Sequence, residues 1–384
     1  MTRFFLLLMP ALLCGCALRG DDTVEPPAEL ESLEATLEIA RLWSTKVGKP
    51  SERLRLGLQP ATDGARIYAA SHNGRVAALD AESGRRQWVV DTELPLAAGP
   101  SFGSGLLVAG TTDGDLVAFD ASNGEQRWKV QVGSEVLAPP AVNRNVVVYR
   151  TVDGRLRGAD PASGATLWSV EQSMPALTLR GNTAPYVVGQ VVVCGFDNGR
   201  VGAYQLNNGD PIWELTIAAP TGRNELERLV DISAGIQVVG NDVYTAGYQG
   251  RAVGLDLRTG EVLWQQQLSS FAGLGADINS VYVTTDVDAV VALDRQGGRT
   301  LWRQEALRLR DLTAPARHRE AVVVGDYEGY LHWLSPDDGR FLGRARAASG
   351  RILGAPLIIG LNVFVQAEDG TVAAFTVVDE AREL

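Results

Sequence analysis

Thr112-Asp113-Gly114-Asp115-Leu116-Val117-Ala118-Phe119-Asp120-Ala121-Ser122-Asn123-Gly124-Glu125-Gln126-Arg127-Trp128 is one copy of a pattern that recurs along most of the chain. A glycine, a second glycine ten residues on and a tryptophan four after that also stand at Gly74, Gly84, Trp88; Gly154, Gly164, Trp168; Gly199, Gly209, Trp213; and Gly250, Gly260, Trp264. Degenerate copies follow: Asp288 with Gly298 and Trp302, then Gly329 and Gly339 with Gly343 where tryptophan should be, then Gly370 near the end. The first positions lie 40, 40, 45, 51, 38, 41 and 41 residues apart, the period of a four-stranded propeller blade. Eight units are predicted.

Within a copy, Asp-Gly and Asn-Gly supply the positive backbone angles of tight hairpin turns and mark reversals between three short apolar runs. A fourth strand is expected before each run, where Pro60, Pro100 and Pro140 recur at the start of an apolar segment. The fold class is therefore all-β, an eight-bladed β-propeller of four-stranded antiparallel blades. The last copy lacks a tryptophan strand, and Arg41-Leu42-Trp43-Ser44-Thr45 is a tryptophan strand without a copy. Pairing the two would close the ring and remove two exposed edges. The tryptophans, Trp43 included, read as packing between blades. The recurrent Asp80, Asp120, Asp160, Asp256 and Asp294 read as turn acceptors, because repetition in most blades suits architecture better than a unique acidic site.

The amino terminus sets the compartment. Arg3 precedes an apolar run from Phe4 to Leu13, too short to span a bilayer. Leu13-Cys14-Gly15-Cys16 resembles the bacterial lipoprotein box, which implies a signal peptide over 1–15 and acylation of Cys16. Ala17 in second place implies export onward to the outer membrane. Residues 16–38, acidic and carrying Pro26-Pro27, read as a flexible tether, and 39–380 as the propeller. Without residues 1–15 the chain keeps 34 basic and 46 acidic residues, which argues against nucleic acid as a partner. Only Cys194 then remains as a thiol, so an intramolecular disulfide is excluded.

Catalytic signatures are lacking. His72, His318 and His332 form no metal-ligand spacing, and His72 reads as a solvated turn residue. Asp286-Val287-Asp288 is an isolated acidic turn with a weak claim to a cation. The core Ala78-Leu79-Asp80-Ala81-Glu82-Ser83-Gly84-Arg85-Arg86-Gln87-Trp88 resembles the blade motif of pyrroloquinoline-quinone dehydrogenases, which makes a quinoprotein-like enzyme or ligand-binding propeller the alternative reading. Their adjacent cysteine pair and long active-site insertions have no counterpart here, and no cofactor is expected.

Departures from the period mark the rims where propellers bind partners. The two longest spacings are adjacent. One contains Ala176-Leu177-Thr178-Leu179-Arg180-Gly181, the other Arg223-Asn224-Glu225-Leu226-Glu227-Arg228-Leu229-Val230-Asp231. On the residues alone, Leu177 and Leu179 suit a buried strand as well as an interface, and the charged insertion suits a solvated loop. The lipoprotein box, the acidic tether, the eight blades, the Leu-x-Leu-Arg-Gly segment and Val324-Gly325-Asp326-Tyr327-Glu328-Gly329-Tyr330-Leu331-His332-Trp333 together resemble the BamB family, a lipoprotein subunit of the outer-membrane β-barrel assembly machinery. The resemblance implies a non-enzymatic scaffold, lipid-anchored at the periplasmic face of the outer membrane. It would bind BamA's periplasmic domains and other assembly subunits, and assist unfolded barrel precursors. It also implies Leu177, Leu179, Arg180 and Asp231 as contacts to BamA, with Asp231 bracing Arg180. Ser233 stands where the family carries a second aspartate.

Overall fold

Gly114 and Gly124 both adopt a φ of +78°, and each reverses the chain where the repeat predicts. They separate Leu106–Thr111 from Asp115–Asp120, and Asp115–Asp120 from Gln126–Gln131. With Leu96–Gly103 these strands make blade 2, in sequential antiparallel order. The computed structural model describes residues 25–50, 56–180, 183–219, 223–224, 229–232 and 234–378. Blades 1 and 3 to 7 span 61–91, 141–171, 186–216, 237–267, 273–304 and 316–346. Blade 8 joins 357–377 to Ile39–Lys46, which pairs antiparallel with Thr371–Val377. The expected closure of the eight-bladed ring by chain ends is what the structure shows.

Two details differ from expectation. Gly57–Leu58 adds a short parallel pairing along Ala98 and Gly99, beside blade 2 at the central cavity. Pro100 lies inside Leu96–Gly103 rather than at its start.

Each blade carries apolar residues on both faces of its middle strands, since a neighbouring sheet covers either side. The tryptophan on the fourth strand of one blade bridges to the next. Trp43, Trp88, Trp128, Trp168, Trp213, Trp264 and Trp302 donate their indole N–H groups to the carbonyls of Ala81, Ala121, Pro161, Leu206, Leu257, Arg295 and Pro336, at 2.6–3.1 Å. Each ring also lies on the second glycine of the following repeat. A Cβ at Gly124 would stand 2.7 Å from the Trp88 ring. The repeat's glycine and tryptophan are therefore partners across a joint, not within a blade. The recurrent aspartates are turn acceptors as expected: Asp80, Asp120, Asp160, Asp256 and Asp294 each take a backbone N–H at 2.7–2.9 Å.

A pair of substitutions separates backbone strain from this close approach. Gly64 also has a positive φ, +94°, but nothing lies within 4 Å of its would-be Cβ. Gly64→Ala should cost about 1–2 kcal/mol through the left-handed backbone alone. Gly124→Ala should cost about 1–3 kcal/mol more, because the Trp88 ring must move. Urea midpoints measure the difference, and equal costs would show that the ring contact contributes nothing.

Gly343 is explained by the same geometry. A Cβ there would stand 2.6 Å from Ile39 Cδ1 and 3.2 Å from the Leu37 carbonyl oxygen. The amino-terminal segment occupies the space that a tryptophan fills elsewhere. Leu37 and Ile39 pack on the cluster holding Trp333, Leu342 and Phe375. The glycine partner is missing at this joint too, because the turn that would carry it is replaced by the two chain ends.

Candidate partner-binding surface

Blade-to-blade connections and the turns between second and third strands share one face, here called the connection face. Their backbones are tied together there: Thr92, Val132 and Gln172 donate to the carbonyls of Gly74, Gly114 and Gly154. The lead-in segments converge on a central cavity of about 860 Å³. Leu179, Arg180, Glu135, Phe271, Leu353 and Arg351 are among its lining residues.

The connection from blade 3 to blade 4 holds the leucine–arginine segment. Leu177 is 44% exposed, Leu179 is half-buried at the cavity, and Arg180 is exposed with a φ of +54°. A non-glycine residue in that left-handed conformation is uncommon and needs local support. Thr178 Oγ1 accepts the Arg180 amide at 3.2 Å, and the Arg180 guanidinium pairs with Glu135 on the connection from blade 2 to blade 3. Glu135 went unrecognised in the sequence because it lies 45 residues away, within a connection of ordinary length. An exposed ion pair contributes little to stability, so it can be exchanged for an acidic partner at small cost.

Asp231 does not share the exposure of Arg180. It is fully buried, its backbone bridges to Tyr248, and its carboxylate acts on Arg150 of blade 3. The rim position expected for it is corrected: a buried guanidinium draws carboxylates inward. Arg150 pairs with Asp197 and lies 5.8 Å from the Phe196 ring centroid. Burial opposes the Arg150 charge, but the carboxylates of Asp197 and Asp231 act against it and its pKa is raised. Burial likewise pushes the Cys194 thiol up to about 12, leaving it protonated and unreactive. Asp231→Ala should therefore lower stability by about 1–3 kcal/mol, as loss of a buried charge partner does. Partner affinity should hold once folding is restored by lower temperature. A normal melting temperature with lost affinity would return Asp231 to the contact surface. The two insertions are nonetheless joined, since Thr183 donates its hydroxyl to the Ile232 carbonyl. Cys16 and Ser233 lie outside the described residues.

The run from Val324 to Trp333 builds a buried polar network. Asp326, fully buried, accepts Arg310 Nε and Nη2 at 2.9 and 2.8 Å, His332 Nε2 at 3.0 Å, and the Tyr330 amide at 2.9 Å. Burial alone would raise its pKa, but these donors outweigh burial and hold the carboxyl below the ordinary range. His332 Nδ1 accepts Arg344 Nε at 3.1 Å, and His318 Nδ1 accepts Trp333 Nε1 at 3.1 Å. Each ring is thus neutral with its proton on Nε2, and burial lowers both pKa values.

The sign of the pH effect follows. As pH falls below about 6.5 the unfolded chain binds protons that the folded histidines refuse, so stability drops. Each histidine should cost at most about 1.4 kcal/mol at pH 5.5. Asp326 adds a further loss only near and below pH 4. His332→Gln, which keeps a donor to Asp326, should shrink the difference in urea midpoint between pH 7.5 and 5.5. An unchanged difference would remove His332 from the account.

Other polar residues singled out in the sequence are structural. His72 is half-buried rather than solvated, its Nδ1 2.8 Å from the Leu96 carbonyl oxygen. Asp288 accepts the amides of Asp311 and Leu312 at 2.8 and 2.9 Å, so its carboxylate staples a connection. No cluster of His, Cys, Asp and Glu suited to a metal occurs among the described residues.

Comparison with known proteins agrees with this architecture. The family model described as "Outer membrane protein assembly factor BamB" matches residues 39–92, 72–304 and 288–382. A relative of that name from Pseudomonas aeruginosa is 47% identical over 372 residues, covering 97% of this chain and 98% of its own. The crystal structure of BamB from Moraxella catarrhalis superposes with a TM-score of 0.81 at 29% identity, covering 88% of this chain and 100% of that one. Quinohemoprotein alcohol dehydrogenase from Comamonas testosteroni shares the fold alone, at 13% identity and a TM-score of 0.70, over 90% of this chain and 77% of its own. With full-length relatives of one name and the same closed ring of blades, this chain belongs to the family of the outer membrane protein assembly factor BamB.

Proposed function

We propose that this protein is a non-enzymatic scaffold of the outer-membrane β-barrel assembly machinery. It is acylated at Cys16, held at the periplasmic face of the outer membrane, and binds BamA's periplasmic domains so that unfolded barrel precursors are presented to the machinery. The observation that supports this reading best is the rim segment: an exposed Leu177 next to Leu179 and Arg180 at the mouth of the central cavity. Arginine is among the residues enriched at interface hot spots, and an exposed leucine beside it offers apolar area that only a partner would bury. Asp231, fully buried in the free chain, is assigned a supporting rather than a touching role in this reading.

The quinoprotein-like alternative has less support. Two buried polar clusters among the described residues are used internally, Arg150 with Asp197 and Arg310 with Asp326. Affinity capture of the lipidated chain from membranes of its native host, followed by mass spectrometry, tests the proposal. BamA should be recovered in stoichiometric amount. Recovery without BamA, or dye-linked alcohol oxidation on adding pyrroloquinoline quinone and calcium, would overturn it.

A further inference from the structure

The described part of the segment expected to be a flexible tether, from residue 25 onward, is clamped to the propeller. Glu25 forms an ion pair with Arg308 at 2.8 Å. The Ala28 amide donates to the Arg308 carbonyl at 2.9 Å, and Arg310 Nη1 donates to the Ala28 carbonyl at 2.9 Å. Leu30 packs on the cluster of Tyr282, Trp302 and Leu312. Arg344 Nη1 donates to the Glu31 carbonyl, and the amides of Thr36 and Leu37 both reach the Leu342 carbonyl, all at 2.9 Å. Two of these clamping arginines are themselves fixed from below: Arg310 by Asp326, and Arg344 by His332. The buried network of blade 7 thus ends in two guanidinium groups that grip the amino-terminal backbone.

We propose that this strap decides which side of the propeller faces the bilayer. Arg308 and Arg310 belong to the connection from blade 6 to blade 7, so the strap's outer end at Glu25 lies on the connection face. The inference rests on acylation of Cys16 as the anchor. Nine residue steps separate Cys16 from Glu25, a reach of at most about 32 Å. Were the chain loose to the start of the closing strand at Ile39, 23 steps would reach about 83 Å and impose no orientation. Shortening the leash in this way also raises the effective concentration of the propeller at the membrane about fourfold. The surface presented to lipid is therefore the blade 6–7 sector of the connection face. The Leu177–Arg180 segment opens on that same face, on the far side of the ring.

The test uses the full lipidated chain in phospholipid vesicles bearing a headgroup energy acceptor. A donor dye is placed by Asp286→Cys, in the turn between second and third strands of blade 6, or by Gln296→Cys, at the opposite end of the same blade. Both sites are exposed, whereas Cys194 is buried and escapes labelling. Energy transfer should be stronger from position 286 than from position 296. The difference should be lost when Leu30→Asp and Arg308→Ala detach the strap without touching Asp326. Equal transfer from both positions in the otherwise unaltered chain, or a difference that survives strap detachment, would overturn the proposal. Should the detached variant fail to fold, amide exchange in the unaltered chain decides: Ala28, Thr36 and Leu37 must exchange slowly, and exchange at unstructured rates sinks the strap. Mass spectrometry keeps the two hypotheses apart. Missing diacylglycerol on Cys16 refutes the anchor and with it this inference, whereas acylation with no facial bias refutes the strap alone.

Discussion

Arg180→Ala is expected to weaken binding to BamA's periplasmic domains about thirtyfold, equivalent to roughly 2 kcal/mol, while the propeller melts almost as before. The separation of the two effects comes from the geometry. Arg180 is exposed and its partner Glu135 lies on another connection, so within the free protein the pair adds no more than about 1 kcal/mol. In a complex the guanidinium would be desolvated against a partner carboxylate, where directed charge-assisted hydrogen bonds count for more. Leu177→Ala should lose a similar amount, because its side chain is already exposed and its burial becomes available only on binding. Glu135→Gln provides the internal control. Removing the competing carboxylate should leave affinity unchanged or improve it by up to about fivefold. Calorimetric titration of each variant against BamA's periplasmic domains measures these values. Normal binding by both Arg180→Ala and Leu177→Ala would move the contact elsewhere on the rim.

The contrast between Arg180 and Asp231 shows where sequence reasoning reached and where it stopped. Blades were legible because glycine, aspartate and tryptophan recur at fixed offsets, and each offset has a local cause in a turn or a flat ring. What the offsets do not express is contact between repeats. Gly124 reads as a turn residue, yet its lack of a side chain also makes room for Trp88 from the preceding blade. Asp231 sits in a charged insertion and reads as solvated. Its charge acts on Arg150, some eighty residues earlier, at a strand position that the other blades fill with Ala70, Gly110, Gly195, Ala246, Thr284, Gly325 and Gln366. The same limit explains the amino-terminal segment. Acidic residues and paired prolines describe a tether, and only the three arginines of blade 7 and its preceding connection show it to be held. Residues made unique by a long-range partner are invisible to periodicity. They are also the residues that distinguish one member of a repeat fold from another, since the blades themselves are shared with dehydrogenases.

Ring closure carries the largest expected effect on stability. Trp43 is buried, donates to the Ala81 carbonyl at 2.9 Å, lies over Gly84, and contacts Phe364 at a ring-centroid distance of 5.8 Å. It therefore joins the two chain ends of blade 8 to blade 1. Trp43→Ala should cost about 3–5 kcal/mol, the range for removing a large buried ring. Its neighbour Leu42, 43% exposed, should tolerate alanine within about 0.5 kcal/mol. Replacing Ile39–Lys46 by glycine and serine at equal length goes further, because it removes a complete set of ladder bonds to Thr371–Val377. That strand would then be an unpaired apolar edge, with Val372, Ala374 and Phe375 losing their cover, and such an edge templates association. The replaced protein should lose cooperative unfolding and elute as aggregates on size exclusion. Removal of residues 17–24, which precede the strap, should leave both properties intact. If the replaced protein stays monomeric and melts like the unaltered chain, closure by the amino-terminal strand is dispensable, and the ring must be held by the blade-to-blade joints alone.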